Sequence, residues 1–120
     1  MDSHTGSGRQ PDRDEAFAVQ DLAELQRQGH QPYLEFLRRP SMSAGLYVLE
    51  AGEADEQTPH AQDELYVMLA GRARLQVGED GYAVEPGTIV YVPRRVAHRF
   101  ADIEERLEVL VFFAPAETEE

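Results

Sequence analysis

Two histidines and a glutamate are the side chains of this sequence best suited to chemistry. His60 and Glu64 stand four residues apart, and the segment between them runs into an apolar stretch. In an extended chain alternate side chains share a face, so His60, Gln62, Glu64, Tyr66 and Met68 should point the same way. A histidine and a carboxylate aimed into an apolar interior are costly unless paired or coordinated. Neutral imidazole and carboxylate are both good ligands for first-row divalent ions, so a metal would offset that cost. Spacing alone carries little weight, because a His and a Glu four apart often arise by chance. His98 strengthens the case. It opens a second extended run, HRFAD, whose residues His98, Phe100 and Asp102 share a face. Two imidazoles and one carboxylate from two strands form the ligand type that non-haem iron uses, with positions left open for substrate.

Short strands are the elements expected to deliver these residues. The runs YLEFL (33–37), GLYVLEA (45–51), ELYVMLA (64–70), RARLQV (72–77), TIVYVP (88–93), HRFAD (98–102) and LEVLVFFA (107–114) are rich in Val, Leu, Tyr and Phe. Turn residues separate them at Pro40-Ser41, Gly52, Gly71, Gly78 to Gly81 and Pro86-Gly87. Short strands with Gly/Pro punctuation argue for a sandwich or barrel rather than βαβ units. Some alternate cleanly, with Ala73, Leu75 and Val77 opposite Arg72, Arg74 and Gln76. Others are apolar on both faces and need a cover on the outside. The one helix signal covers 14–28, with Phe17, Leu22 and Leu25 on one side and Gly29 as the stop. That helix can cover part of the barrel, and a second subunit the rest, so a homodimer is expected. The organisation is then a disordered leader (1–13, containing a solvated His4), helix and turn (14–32, with His30 in the turn), barrel (33–116) and an exposed acidic tail (117–120).

Composition narrows the function classes. The chain has 120 residues and a formal net charge of -12, and every basic side chain is Arg. So acidic a surface repels phosphates and anionic headgroups, which argues against nucleic-acid and membrane partners. There is no Cys, which excludes disulfides, thiolate metal sites and cysteine nucleophiles. No apolar run is long enough for a transmembrane helix, and the polar N-terminus does not read as a secretory signal. A cytoplasmic location is expected.

The spacings around the triad resemble those of the cupin superfamily. Its first motif reads G, five residues, H-x-H, three or four residues, E, six residues, G. Here Gly52 precedes the site, His60 is followed after three residues by Glu64, and Glu64 after six by Gly71. The second motif reads G, five residues, P-x-G, two residues, H, three residues, N. Here Gly87 is followed after five residues by Pro93, then come His98 and Asp102. The resemblance implies an all-β fold, a small antiparallel jelly-roll β-barrel with a short N-terminal helix added. It also implies that His60, Glu64 and His98 hold one divalent metal ion (Fe, Mn, Ni or Zn). Thr58 stands at the position of the missing first His, Arg95 at the motif's Gly and Asp102 at its Asn. Gln57 is the candidate for the fourth contact through its amide oxygen, and Thr58 could act through a water. Three readings stay open: a weak or substrate-assisted metal site, a changed metal preference, and a site that has lost its metal.

The first functional expectation is a metal-dependent enzyme acting on a small organic molecule; in this family such sites serve dioxygenases, isomerases and decarboxylases. The second is a non-catalytic binding or sensing module with weak or no metal, and the third a purely structural dimer. Tyr47, Tyr66 and Tyr91 are candidates for a pocket wall or for core. Arg94 and Arg95 are candidates for drawing an anion to the mouth or for plain solvation. Asp102 is a candidate second-layer acceptor or an exposed side chain. Catalytic residues beyond the metal set are not identified by the sequence.

Overall fold

The structure, a computed structural model, describes residues 13–55 and 57–118. The expected leader and His4 lie outside these, apart from Arg13, and so does the end of the acidic tail. One helix, α1 (Val19–Gly29), precedes six strands: β1 (Tyr33–Arg39), β2 (Met42–Leu49), β3 (Asp63–Val77), β4 (Asp80–Val84), β5 (Ile89–Val92) and β6 (His98–Ala114). The antiparallel order is β1-β2-β6-β3-β4, with β5 pairing β3. This is the all-β jelly-roll expected.

The helix is shorter than the 14–28 expectation, because Ala18 is extended (φ -95°, ψ 127°) and the first turn starts after it. Asp21 in the first turn and Arg27 in the last complement the helix dipole. The chain leaves the helix at His30, which takes a left-handed conformation (φ 60°). Leu22 and Gln26 are the buried residues, whereas Leu25 is 53% exposed, contrary to expectation. Leu22 packs on Leu46 and Val48, with Leu34, Phe36, Leu69 and Leu110 around them. The helix therefore covers the outer side of β1 and β2.

Two pairs of expected strands are fused. ELYVMLA and RARLQV form one strand, β3, and HRFAD and LEVLVFFA form another, β6. Gly71 was expected to be a turn, but it sits in a bulge. Its φ is +95°, and a Cβ there would lie 2.3 Å from the Arg106 carbonyl oxygen. The β3–β6 register shifts between Met68 and Arg74. One extra residue flips the inward parity, so Glu64, Tyr66 and Met68 are buried on one side of the bulge and Ala73 and Leu75 on the other. β6 does the same, from His98 and Phe100 to Ile103, Leu107, Val109, Val111 and Phe113. Asp102, at the change, has φ 51°. Each long strand thus has different neighbours along its two halves. One half of β3 pairs with β5, and the other half pairs with β4. Strand β4 itself falls partly in what reads as a Gly78–Gly81 turn.

Candidate metal centre

The two halves of the barrel bring the triad together. Glu64 stands near the start of β3, in register with Val92 and Phe113 on either side. His98 opens β6, opposite Val77 at the far end of β3. Both side chains point into the interior, where Glu64 and His98 meet. His60 arrives on the loop before β3. That loop is tied to the β5–β6 connection by Arg95 N–H donating to the His60 carbonyl at 2.7 Å and Arg94 N–H donating to Asp63 Oδ1 at 3.0 Å. As a result, His60, Glu64 and His98 each present a ligand atom within 4.8 Å of the others.

Glu64 and His98 are 3% and 5% exposed. His98 Nδ1 lies 2.9 Å from the Val96 carbonyl oxygen, the contact expected if Nδ1 carries the proton and Nε2 is left free. That Nε2 is 3.1 Å from Glu64 Oε1, yet neither atom has an aligned hydrogen-bond partner. Burial pushes the His98 pKa down, but the Glu64 carboxylate and the Val96 carbonyl outweigh it, so the net shift is upward. For His60 burial dominates and the pKa is lowered. Two buried, unsatisfied ligand atoms 3.1 Å apart, with a second imidazole beside them, fit a divalent ion. An ion would give both lone pairs a partner.

Gln57 reaches the same place. Its amide nitrogen donates to Asp55 Oδ2 at 2.7 Å, which turns its oxygen inward. Oε1 accepts from the Tyr66 hydroxyl at 3.2 Å and lies 3.4 Å from His60 Nε2. Asp55 was not anticipated from the sequence. It is 3% exposed and also accepts from the Tyr47 hydroxyl at 2.6 Å and the Phe100 N–H at 2.8 Å. Burial raises the Tyr66 pKa far above its usual value, with Glu64 adding to it, so this hydroxyl stays a donor. The same holds for Tyr47, through burial and its bond to Asp55.

The structure decides between several alternatives the sequence left open and changes some expectations. Thr58 is exposed, so the position assigned to the first His faces solvent and its neighbour Gln57 faces in. Asp102 is exposed in its bulge and holds nothing at the site. Tyr91 is 57% exposed on the outer surface, while Tyr47 and Tyr66 do line the cavity. Arg94 and Arg95 are exposed and line no part of it. Glu117 was expected to lie in an exposed tail, but it turns back to the cavity wall with its side chain 28% exposed. Tyr33 was also missed as a wall residue, and its hydroxyl is buried with no hydrogen-bond partner. The cavity is about 170 Å³, with Val111 and Phe113 as its apolar side.

Known proteins resemble this chain in sequence and in fold. The family described as "Cupin domain" matches residues 45–113. An uncharacterised protein of Streptomyces coelicolor is 48% identical over 103 residues, 86% of this chain and 98% of the relative. A Thermus thermophilus structure superposes with a TM-score of 0.70 at 23% identity, over 86% of this chain and 99% of that one. A DMSP lyase from Ruegeria pomeroyi superposes with a TM-score of 0.60 at 25% identity, over 63% of this chain. This protein spans only 39% of the lyase.

Proposed function

The chain belongs to the cupin family, and from that premise we propose that it is a metal-dependent cupin enzyme acting on a small organic molecule. The observation that carries this reading is the pair of buried ligand atoms, Glu64 Oε1 and His98 Nε2, 3.1 Å apart and left without an aligned hydrogen-bond partner among the described residues. His60, Glu64 and His98 would hold one divalent ion, with Gln57 Oε1 as the fourth contact. When bound, that ion would supply Lewis acidity and open coordination positions. Lyase activity in one structural neighbour lends support to an enzymatic role.

The remaining groups handle the substrate. At about 170 Å³ the cavity takes a molecule displacing about five or six waters. Val111 and Phe113 exclude water from one side. The unpartnered Tyr33 hydroxyl offers a donor to a substrate oxygen. Its pKa is raised by burial first and then by Glu117, so it donates rather than ionises at neutral pH. Gln57 and Asp55 keep their mutual hydrogen bond and leave the Gln57 oxygen pointing inward.

Metal titration of three proteins tests the reading. The parent chain should bind about one equivalent, and His60→Ala and His98→Ala should each bind at least about a hundredfold more weakly. Equal affinity in the parent and both variants would remove the proposed site.

A further inference from the structure

The cavity has a charge character apart from its metal ligands. Among the described residues no Arg lines it, and the chain has no Lys. Glu117 puts a carboxylate on its wall instead. The backbone holds that residue in place. Its N–H donates to Ser43 Oγ at 2.9 Å, and the neighbouring Ala116 N–H reaches the Pro40 carbonyl at 3.4 Å. On the other side Gln62 donates to Thr118 Oγ1 at 2.7 Å. Tyr33 feels the result. Burial is the largest influence keeping its phenol neutral, and next come the carboxylates of Glu117, Glu35 and Glu64. Arg38 opposes them, but it is paired with Glu35 at 2.7 Å. The Tyr33 hydroxyl therefore sits in a negative potential.

Much of the remaining wall is aromatic. Tyr33 and Tyr47 stand opposite each other across β1 and β2, with ring centroids 6.2 Å apart and planes inclined at 70°. Gly45 makes room for the first of them, since a Cβ there would lie 2.2 Å from the Tyr33 ring. Phe113 and His60 form a second inclined pair, 5.0 Å apart and at 69°. Aromatic faces attract cations and offer nothing to an anion. An anionic group entering here would shed its hydration and find no counter-charge besides the ion itself.

We propose that the cavity takes a small organic cation, with an ammonium-type group against Glu117 and the tyrosine rings and an oxygen within reach of the Tyr33 hydroxyl or the metal. Phosphorylated and dicarboxylate substrates are then disfavoured. This deepens the reading above by naming a substrate class, and it rests on the cavity being a small-molecule site. The charge preference itself needs no metal.

Three probes that share a hydroxyethyl arm test it: choline, its neutral isostere with tert-butyl in place of trimethylammonium, and the anion isethionate. Calorimetry on the full chain, with and without Zn²⁺, should rank them in that order in both states, with choline about tenfold tighter than its isostere. In Glu117→Gln the choline affinity should fall by about two- to fivefold while that of the isostere is unchanged. An isostere or isethionate that binds as well as choline overturns the inference, as does a parent that binds none of the three. Equal losses of choline and isostere in Glu117→Gln also overturn it. A chain that takes up Zn²⁺ but shows no charge preference overturns the inference and leaves the metal reading standing. A chain that takes up no metal but prefers choline does the reverse.

Discussion

A carboxylate 3% exposed, beside an imidazole but out of line for a hydrogen bond to it, is an expensive arrangement inside an apolar barrel. Protonating His98 relieves part of the cost in the metal-free protein, which is why its pKa rises despite burial. The sign for metal binding follows. A ligand imidazole must be neutral, so as pH falls through the raised His98 pKa the proton displaces the metal. Affinity should therefore begin to fall at a higher pH than an ordinary imidazole ligand would require. In Glu64→Gln, NMR titration of metal-free protein should find the His98 pKa lowered; an unchanged value would mean that Glu64 does not act on it. At this scale the triad was legible because period-two alternation survives as far as Met68. Asp55 was not, because its partners Tyr47 and Phe100 lie 8 and 45 residues away and one of the contacts is a backbone N–H. No spacing rule encodes that.

The elements show why a motif residue need not be a chemical one. Gly71 is a family motif position, and here it is the point at which β3 bulges against the Arg106 carbonyl. Arg95 and Asp102 stand where the motif has Gly and Asn, and both have positive φ, 66° and 51°. Gly and Asn are the residues that tolerate that conformation best. Asp102 therefore suits the left-handed backbone at this position, and its exposed side chain lies outside the site. Gly71→Ala adds both strain and a backbone clash, and should lower stability by about 3 kcal/mol in urea denaturation. A loss under about 0.5 kcal/mol would mean the bulge relaxes freely. The fold class was legible from the strand texture. The fused strands were not, because a glycine marks a bulge as readily as a turn.

For the whole molecule, the outer surface is the remaining question. The helix covers Leu46 and Val48 but leaves Leu65, Ile89 and Tyr91 36%, 62% and 57% exposed. Register aligns them in two apolar rows, Tyr91–Leu65–Phe112 and Ile89–Val67–Leu110. Rows of this kind on an exposed sheet face call for a cover. We propose that a second copy supplies it. Light scattering at micromolar concentration should give a dimer, and Ile89→Glu should shift it to monomer; a monomeric parent would contradict the proposal. No helix among the described residues is long and apolar enough to cross a membrane.

The central claim remains the ion between His60, Glu64 and His98. Elemental analysis of the full chain, purified without chelators or an affinity metal, tests it most directly. The account predicts about one equivalent of a first-row divalent metal per chain, lost in His98→Ala. Parent protein that carries no metal, and takes up none when incubated with Fe²⁺, Mn²⁺, Ni²⁺ or Zn²⁺, would contradict it.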